Sequence, residues 1–122
     1  MIRAGKYPNA GDNWKTDDWI QDIFAGWFDP CPYDPAWEID GLKIDWPDQR
    51  VFINPPYSNV RPWIEKAIAH PYPVVLLLKH DSSTKWYSLL HEAGAKFLLV
   101  NGRLKHQTGA ACSFPSMLAV IQ

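Results

Sequence analysis

Residues 51–59 read "VFINPPYSN", and the fold is decided there. Val51, Phe52 and Ile53 form a short apolar run that reads as a buried strand. The run stops at Asn54, Pro55, Pro56 and Tyr57, after which Ser58 and Asn59 read as the start of a helix. Proline lacks an N–H and holds φ fixed. A Pro-Pro pair at a strand end is therefore a rigid turn with no donors to satisfy and with its carbonyls free as acceptors. An asparagine amide oxygen beside such a carbonyl makes two acceptors aimed at one point, suited to an exocyclic NH₂ group. Tyr57 adds a flat face for a planar ring. A ring amine held there needs no strong base to attack an electrophilic methyl, provided the acceptors draw electron density onto its nitrogen and the site fixes the approach line. Alone, the tetrapeptide also reads as a plain proline-rich turn.

Downstream of this stretch the chain alternates. A helix is expected from about Ser58 to His70, and "PVVLLLK" (73–79) is a continuous apolar run of the kind found in strands covered on both faces. A second helix is expected from about Ser83 to Ala93, stopped by Gly94. "AKFLLV" (95–100) reads as another buried strand, "NGRLKHQTGAACSFPS" (101–116) as a long loop or hairpin, and "MLAVIQ" (117–122) as a last strand. Upstream, residues 1–13 lack periodicity and read as a loose arm. A helix is expected after Thr16 as N-cap, with Trp19, Ile20, Ile23 and Phe24 on its apolar face and Gly26 as its stop. "WFDPCP" (27–32) reads as a short strand entering a turn, and one or two short strands are expected between Pro30 and Asp48. Trp63 and Trp86 fall on expected helices and read as core.

This order predicts an α/β domain with a mostly parallel sheet flanked by helices. Only 21 residues separate Asp29 from Val51. A crossover needs at least about 12 residues plus its strands, so two full βαβ units do not fit and the fold is a trimmed one. At 122 residues, 47% of them hydrophobic and 20% charged, one domain with one core is expected. No apolar run nears the roughly 18 residues of a membrane span, nor does the start look like a secretory signal. The cytoplasm, or the inside of a host cell, is the expected location. The two cysteines, Cys31 and Cys112, are expected to be reduced, and the scattered histidines offer no metal site.

The net charge of −1 gives nucleic-acid binding no support, but the distribution is uneven. Acids dominate before residue 60, while Lys66, Lys79, Lys85, Lys96, Arg103 and Lys105 follow it. Lys79, His80 and Arg103 fall in loops where they either meet phosphates or stay solvated. In open α/β sheets ligands sit beyond the carboxyl ends of the strands. Asp29-Pro30-Cys31-Pro32, Asn54-Pro55-Pro56-Tyr57 and the segment Lys79–Thr84 each follow an apolar strand directly, and their convergence points to a site.

With these residues in view, the chain resembles the amino-group DNA methyltransferases that use S-adenosylmethionine, and within them the phage Dam-type adenine-N6 methyltransferases. "NPPY" resembles the catalytic tetrapeptide, "DNWKT" the W-x-T-P element, "FDPCP" the first-strand D-x-C-A or D-P-x-x element, and "IDGLKIDW" the D-G-L-x-x-x-W element. "DSSTKWY", "NGRLK" and "FPSMLAVI" follow in family order. The resemblance implies a trimmed Rossmann-like methyltransferase fold and methyl transfer from S-adenosylmethionine to adenine N6 in DNA. It assigns Asn54, Pro55, Pro56 and Tyr57 to the target base. To the cofactor it assigns Trp14, Thr16, Asp29, Pro30, Cys31 and Asn54, with Asp45 for the adenosine or amino group and Asp40 as its rival. Lys79, His80, Lys85, Arg103 and Lys105 become candidate nucleic-acid contacts, and the roles of Asp81 and Thr84 stay open.

The chain departs from the family pattern in lacking the glycine-rich F-x-G-x-G loop, in carrying Asp17 for the W-x-T-P proline, and in carrying His106 for the usual phenylalanine. No separate target-recognition domain is expected. A small DNA-facing surface leads us to expect a homodimer, or a preference for single-stranded or relaxed-sequence substrate. Two other readings stand beside this one. The same chemistry suits another planar amine (RNA adenine, cytosine N4 or a glutamine amide), and a trimmed relative could bind nucleic acid without catalysis.

Overall fold

The sheet is organised around Val74–Lys79 (β2), five of whose six residues are buried. In the computed structural model, which describes residues 15–33, 38–105 and 114–122, β2 lies between Val51–Ile53 (β1) and Ser116–Ile121 (β4). Lys96–Leu99 (β3) pairs with β4 on the far side, so the order is β1-β2-β4-β3. The helices are Asp18–Ile23 (α1), Arg61–Ala69 (α2) and Lys85–Glu92 (α3), with a 3₁₀ turn over Tyr57–Asn59.

Side-chain alternation divides the core into two layers. Val51 and Ile53 of β1, Val74, Leu76 and Leu78 of β2, and Met117, Ala119 and Ile121 of β4 face one way, against Trp63, Ile64 and Ala67 of α2 and Leu90 of α3. Phe52, Val75, Leu77 and Leu118 face the other way, against Ile20 of α1 and Leu104. Both faces of β2 are thus covered, which explains its unbroken apolar run. Trp63 is buried as expected, and Trp86 packs half-buried at the edge of the same layer.

The ladders are mixed rather than mostly parallel. β1 and β2 pair in parallel, and Phe28 adds a parallel bridge to Val51. β4 runs antiparallel to both β2 and β3. The cause is the connection. No crossover helix lies in the described part of the segment between β3 and β4, and the two strands meet where it leaves and returns, with Val100 N–H donating to the Ser116 carbonyl at 3.1 Å. A chain that re-enters the sheet at the end it left must run backwards. β1, β2 and β3 therefore share one direction, with β4 reversed between β2 and β3.

Three further expectations are corrected. β3 is an edge strand, and Leu98 and Leu99 are exposed despite their apolar character. The described residues between Pro30 and Asp48 form turns rather than strands. In α1 only Ile20 is fully buried, Trp19 and Ile23 are exposed, and Asp17 rather than Thr16 takes the N-cap position. Gly94 does stop α3, at φ +80°, where a β-carbon would be strained. No described helix is long and apolar enough to cross a membrane.

Candidate active site

The carboxyl end of β1 delivers Asn54 into a cavity of about 310 Å³, also lined by Thr16, Asp29 and Cys31. Four of the residues expected to bind a cofactor thus meet in one place. Pro30 is buried between two of them, and Trp14 lies outside the described residues. The cavity's apolar wall was not foreseen. Phe24 stacks on Phe52 with ring centroids 4.6 Å apart and meets Trp27 edge-on at 5.0 Å. Strand alternation held the signal for two of these rings: Phe52 faces away from Val51 and Ile53, and Trp27 stands two residues before Asp29. Lys15 adds a cation at the rim.

Asp29 shapes the electrostatics. Its Oδ1 accepts the Cys31 N–H at 2.8 Å, an Asx turn that folds Pro30 and Cys31 under the cavity. Burial pushes its carboxyl up to about 6, and the Cys31 hydrogen bond opposes that only in part.

The "DGL" element holds this turn from behind. A β-carbon on Gly41 would collide with the carbonyl oxygen of Pro30, so only glycine permits the approach. Asp40 accepts from the Leu42 N–H at 3.0 Å, and the indole N–H of the buried Trp46 donates to the Gly41 carbonyl at 2.9 Å. Asp40 is therefore a turn residue in this structure. Asp45 does not reach the cavity either; it lines a separate space of about 300 Å³ with Trp46, Lys66 and His70.

At the turn itself Asn54 is almost fully buried, and Pro55 and Pro56 are buried with it. The Asn54 Nδ2 donates to Thr16 Oγ1 at 3.1 Å, while its Oδ1 accepts from the Tyr57 hydroxyl at 3.0 Å. Tyr57 is half-buried and meets Phe114 edge-on, with centroids 5.3 Å apart. The Lys79 ammonium lies 4.9 Å from the Phe114 centroid. Phe114 was not singled out from sequence, since it stands in a loop before β4 and only the sheet pairing brings it here.

Lys79, His80, Lys85, Arg103 and Lys105 are all exposed. They follow the carboxyl ends of β2 and β3, the end of the sheet that also carries Asn54. Asp81 and Thr84 serve the fold. Asp81 accepts from both the side chain and the N–H of Ser83, which hold its carboxyl below the usual range, and Thr84 Oγ1 caps α3 by accepting the Tyr87 N–H at 3.2 Å.

The site joins a cavity with one acid and four aromatic rings to a rigid turn bearing amide and carbonyl acceptors, a pairing suited to group transfer between a cofactor and a planar amine. The sequence pattern of the Dam DNA N-6-adenine-methyltransferase family matches residues 31–113, well over half the chain, and the chain belongs to that family. A DNA N-6-adenine-methyltransferase of Haemophilus phage HP1 (strain HP1c1) is 41% identical over 107 residues, covering 73% of this chain. The matched part is 62% of that relative's length. No solved structure matches the chain.

Proposed function

We propose that this protein transfers a methyl group from S-adenosylmethionine to the exocyclic N6 amine of adenine in DNA, on a trimmed Rossmann-like fold. The observation that carries the reading is the double position of Asn54, which lines the cavity and also forms the turn with Tyr57. A cofactor's reactive end and an amine on the turn would then meet at one side chain.

The cavity's donor set suits the cofactor. Its volume is at the small end of the roughly 300–1,000 Å³ typical of small-molecule sites. Trp27, Phe24 and Phe52 offer apolar surface for an adenine ring, Asp29 an acceptor for an ammonium, and Lys15 a partner for a carboxylate. When bound, S-adenosylmethionine supplies an electrophilic sulfonium methyl. The protein's part is to position and polarise. Asn54 Oδ1 and the Pro55 carbonyl accept the hydrogens of the amine, aim its nitrogen at the methyl, and relay the surplus proton to water. Tyr57 stacks on the base, held at an angle by Phe114. Lys79, His80, Lys85, Arg103 and Lys105 contact phosphates. The limited surface favours a homodimer on DNA, with static light scattering as the check; full activity from a monomer on duplex sites overturns it.

The experiment is transfer of labelled methyl to DNA, followed by digestion to nucleosides. N6-methyldeoxyadenosine from wild type but not from Asn54→Ala supports the reading. Label in N4-methylcytosine, or in RNA or protein only, replaces it with another planar amine. Absence of both transfer and cofactor binding sinks it.

A further inference from the structure

We propose that Thr16 is a positioning residue for Asn54, anchoring its side-chain amide with the oxygen toward the turn. The inference rests on the methyl-transfer reading above. An asparagine amide has nearly the same shape in its two orientations but opposite chemistry: the oxygen accepts an amine's hydrogens, whereas the NH₂ group repels them. Hydroxyls both donate and accept, so neither Tyr57 nor Thr16 holds the amide by itself; the two grip it as a pair, one at each end. The Asn54 Nδ2 donates to Thr16 Oγ1 at 3.1 Å across 38 residues of sequence, which leaves Oδ1 on the side of Tyr57 and the turn.

Thr16 is itself held from two directions. Its carbonyl accepts from Gln21 Nε2 at 2.6 Å. The next residue, Asp17, accepts the Lys105 N–H on its carboxylate at 3.2 Å and the Ile20 and Gln21 N–H groups on its carbonyl. The segment entering α1 is thus tied to its own helix and to the loop after β3. Its hydroxyl reaches Asn54 as a fixed partner, and Thr16 acts on the reaction through Asn54 rather than by touching the base.

The test uses the full chain, with Thr16→Val removing the acceptor at constant shape and Thr16→Ser retaining it. In the ¹⁵N-labelled protein without ligands, the Asn54 side-chain amide protons should exchange with water about tenfold more slowly than those of exposed amides, since the hydrogen bond must open first. Asn54 is also buried, so Thr16→Val should lower that protection rather than erase it, and Thr16→Ser should keep it. In methyl transfer to DNA, Thr16→Val should lower kcat about tenfold or more, as loss of an orienting contact does. Because Thr16 also lines the cavity, the dissociation constant of S-adenosylmethionine, read by calorimetry, should rise by a smaller factor than kcat falls. Thr16→Ser should recover most of kcat.

Weaker cofactor binding with unchanged kcat overturns the proposal and makes Thr16 a cofactor contact. Unprotected Asn54 protons in wild type, or protection equal to wild type in Thr16→Val, also overturn it. If wild type methylates no DNA, the methyl-transfer reading fails by itself, and the exchange data still judge the contact. Should Thr16→Val not fold, Thr16→Ala, which also lacks the hydroxyl, is read in its place, and a wild-type kcat there overturns the proposal.

Discussion

The Tyr57 hydroxyl sits 3.0 Å from the Asn54 amide oxygen and donates to it, so the acceptor proposed for the base amine is steadied by a phenol three residues away. An amide oxygen accepts two hydrogen bonds, so in the proposed reaction the hydroxyl would steady that oxygen for an incoming amine while the ring stacks on the base. The two functions separate by mutation. Tyr57→Phe should cost about 1 kcal/mol of stability, the usual net worth of one hydrogen bond, and should lower kcat/KM less than tenfold, an effect of under ~1.4 kcal/mol. Tyr57→Ala also removes the stacking face and should cost a further ~1–3 kcal/mol of base affinity. Denaturant unfolding and steady-state kinetics on one DNA substrate measure both. A Tyr57→Ala enzyme with wild-type KM and kcat would remove the base from this ring.

Asp29 links stability to pH. Its carboxyl titrates at about 6 in the folded chain against an ordinary 3.8, because burial disfavours the charged form. Between these two values the folded state holds a proton that the unfolded state has released. Stability is therefore greatest below the unfolded value and falls as pH rises from about 4 through about 6, to a full cost of no more than ~3 kcal/mol. Asp29→Asn can still accept the Cys31 N–H, and it should flatten the 4-to-6 dependence and raise stability above pH 6. Urea unfolding across that range is the measurement. The same titration should weaken S-adenosylmethionine binding as pH drops below about 6, since a protonated acid is a poor partner for an ammonium. Binding that is flat with pH would take Asp29 off the cofactor.

Gly41 is a steric requirement. Its missing β-carbon leaves space for the Pro30 carbonyl, and the three nearest atoms are all backbone or ring atoms of Pro30 that move only if the loops part. Gly41→Ala should cost at least ~1–3 kcal/mol, the range for overpacking. It should also weaken cofactor binding by displacing the Asp29 turn. A Tm within a degree or two of wild type would show that the loops separate freely.

These contacts mark how far the sequence could be read. β1, β2 and β4 were legible because continuous apolar runs of that length suit strands with covered faces, and Asn54, Asp29 and Cys31 because each follows a strand end. β3 misled for a general reason. Phe97, Leu98 and Leu99 look like a core strand, but nothing local says whether a strand has two neighbours or one, and this one lies at an edge. The direction of β4 hung on a similar non-local fact, that no helix in the described residues carries the chain back across the sheet. Thr16 was expected to cap α1, and its hydroxyl instead meets Asn54, a pairing no local propensity contains. Asp45 had the right type and spacing, yet the Gly41–Trp46 hydrogen bond turns that loop toward α2 and away from the cavity.

Thr84 separates a fold role from a chemical one. Its hydroxyl accepts the Tyr87 N–H and donates to the Asp81 carbonyl at 3.1 Å, closing the turn into α3. Thr84→Ala should lose about 1 kcal/mol, as N-cap deletions do, with kcat and KM unchanged at a temperature where both proteins are folded. A selective fall in kcat would return this segment to the active site.

The basic residues give the last prediction. Lys79 and Lys85 flank the loop at the carboxyl end of β2, beside the Asn54 turn, whereas Lys66 sits in the last turn of α2 with its ammonium 5.3 Å from the Trp46 ring. If DNA crosses the Asn54 end of the sheet, each phosphate contact there releases about one counterion, and losing a contact should reduce the slope of log K against log salt by about 1. Lys79→Ala and Lys85→Ala should each show that decrease. Lys66→Ala, at the opposite end, should leave the slope alone and lose only its contact with Trp46. Fluorescence anisotropy with a labelled duplex, titrated at four or five salt concentrations, gives the slopes. Equal slopes for all three variants would place the DNA elsewhere, and a change for Lys66→Ala alone would move it to the Trp46 face.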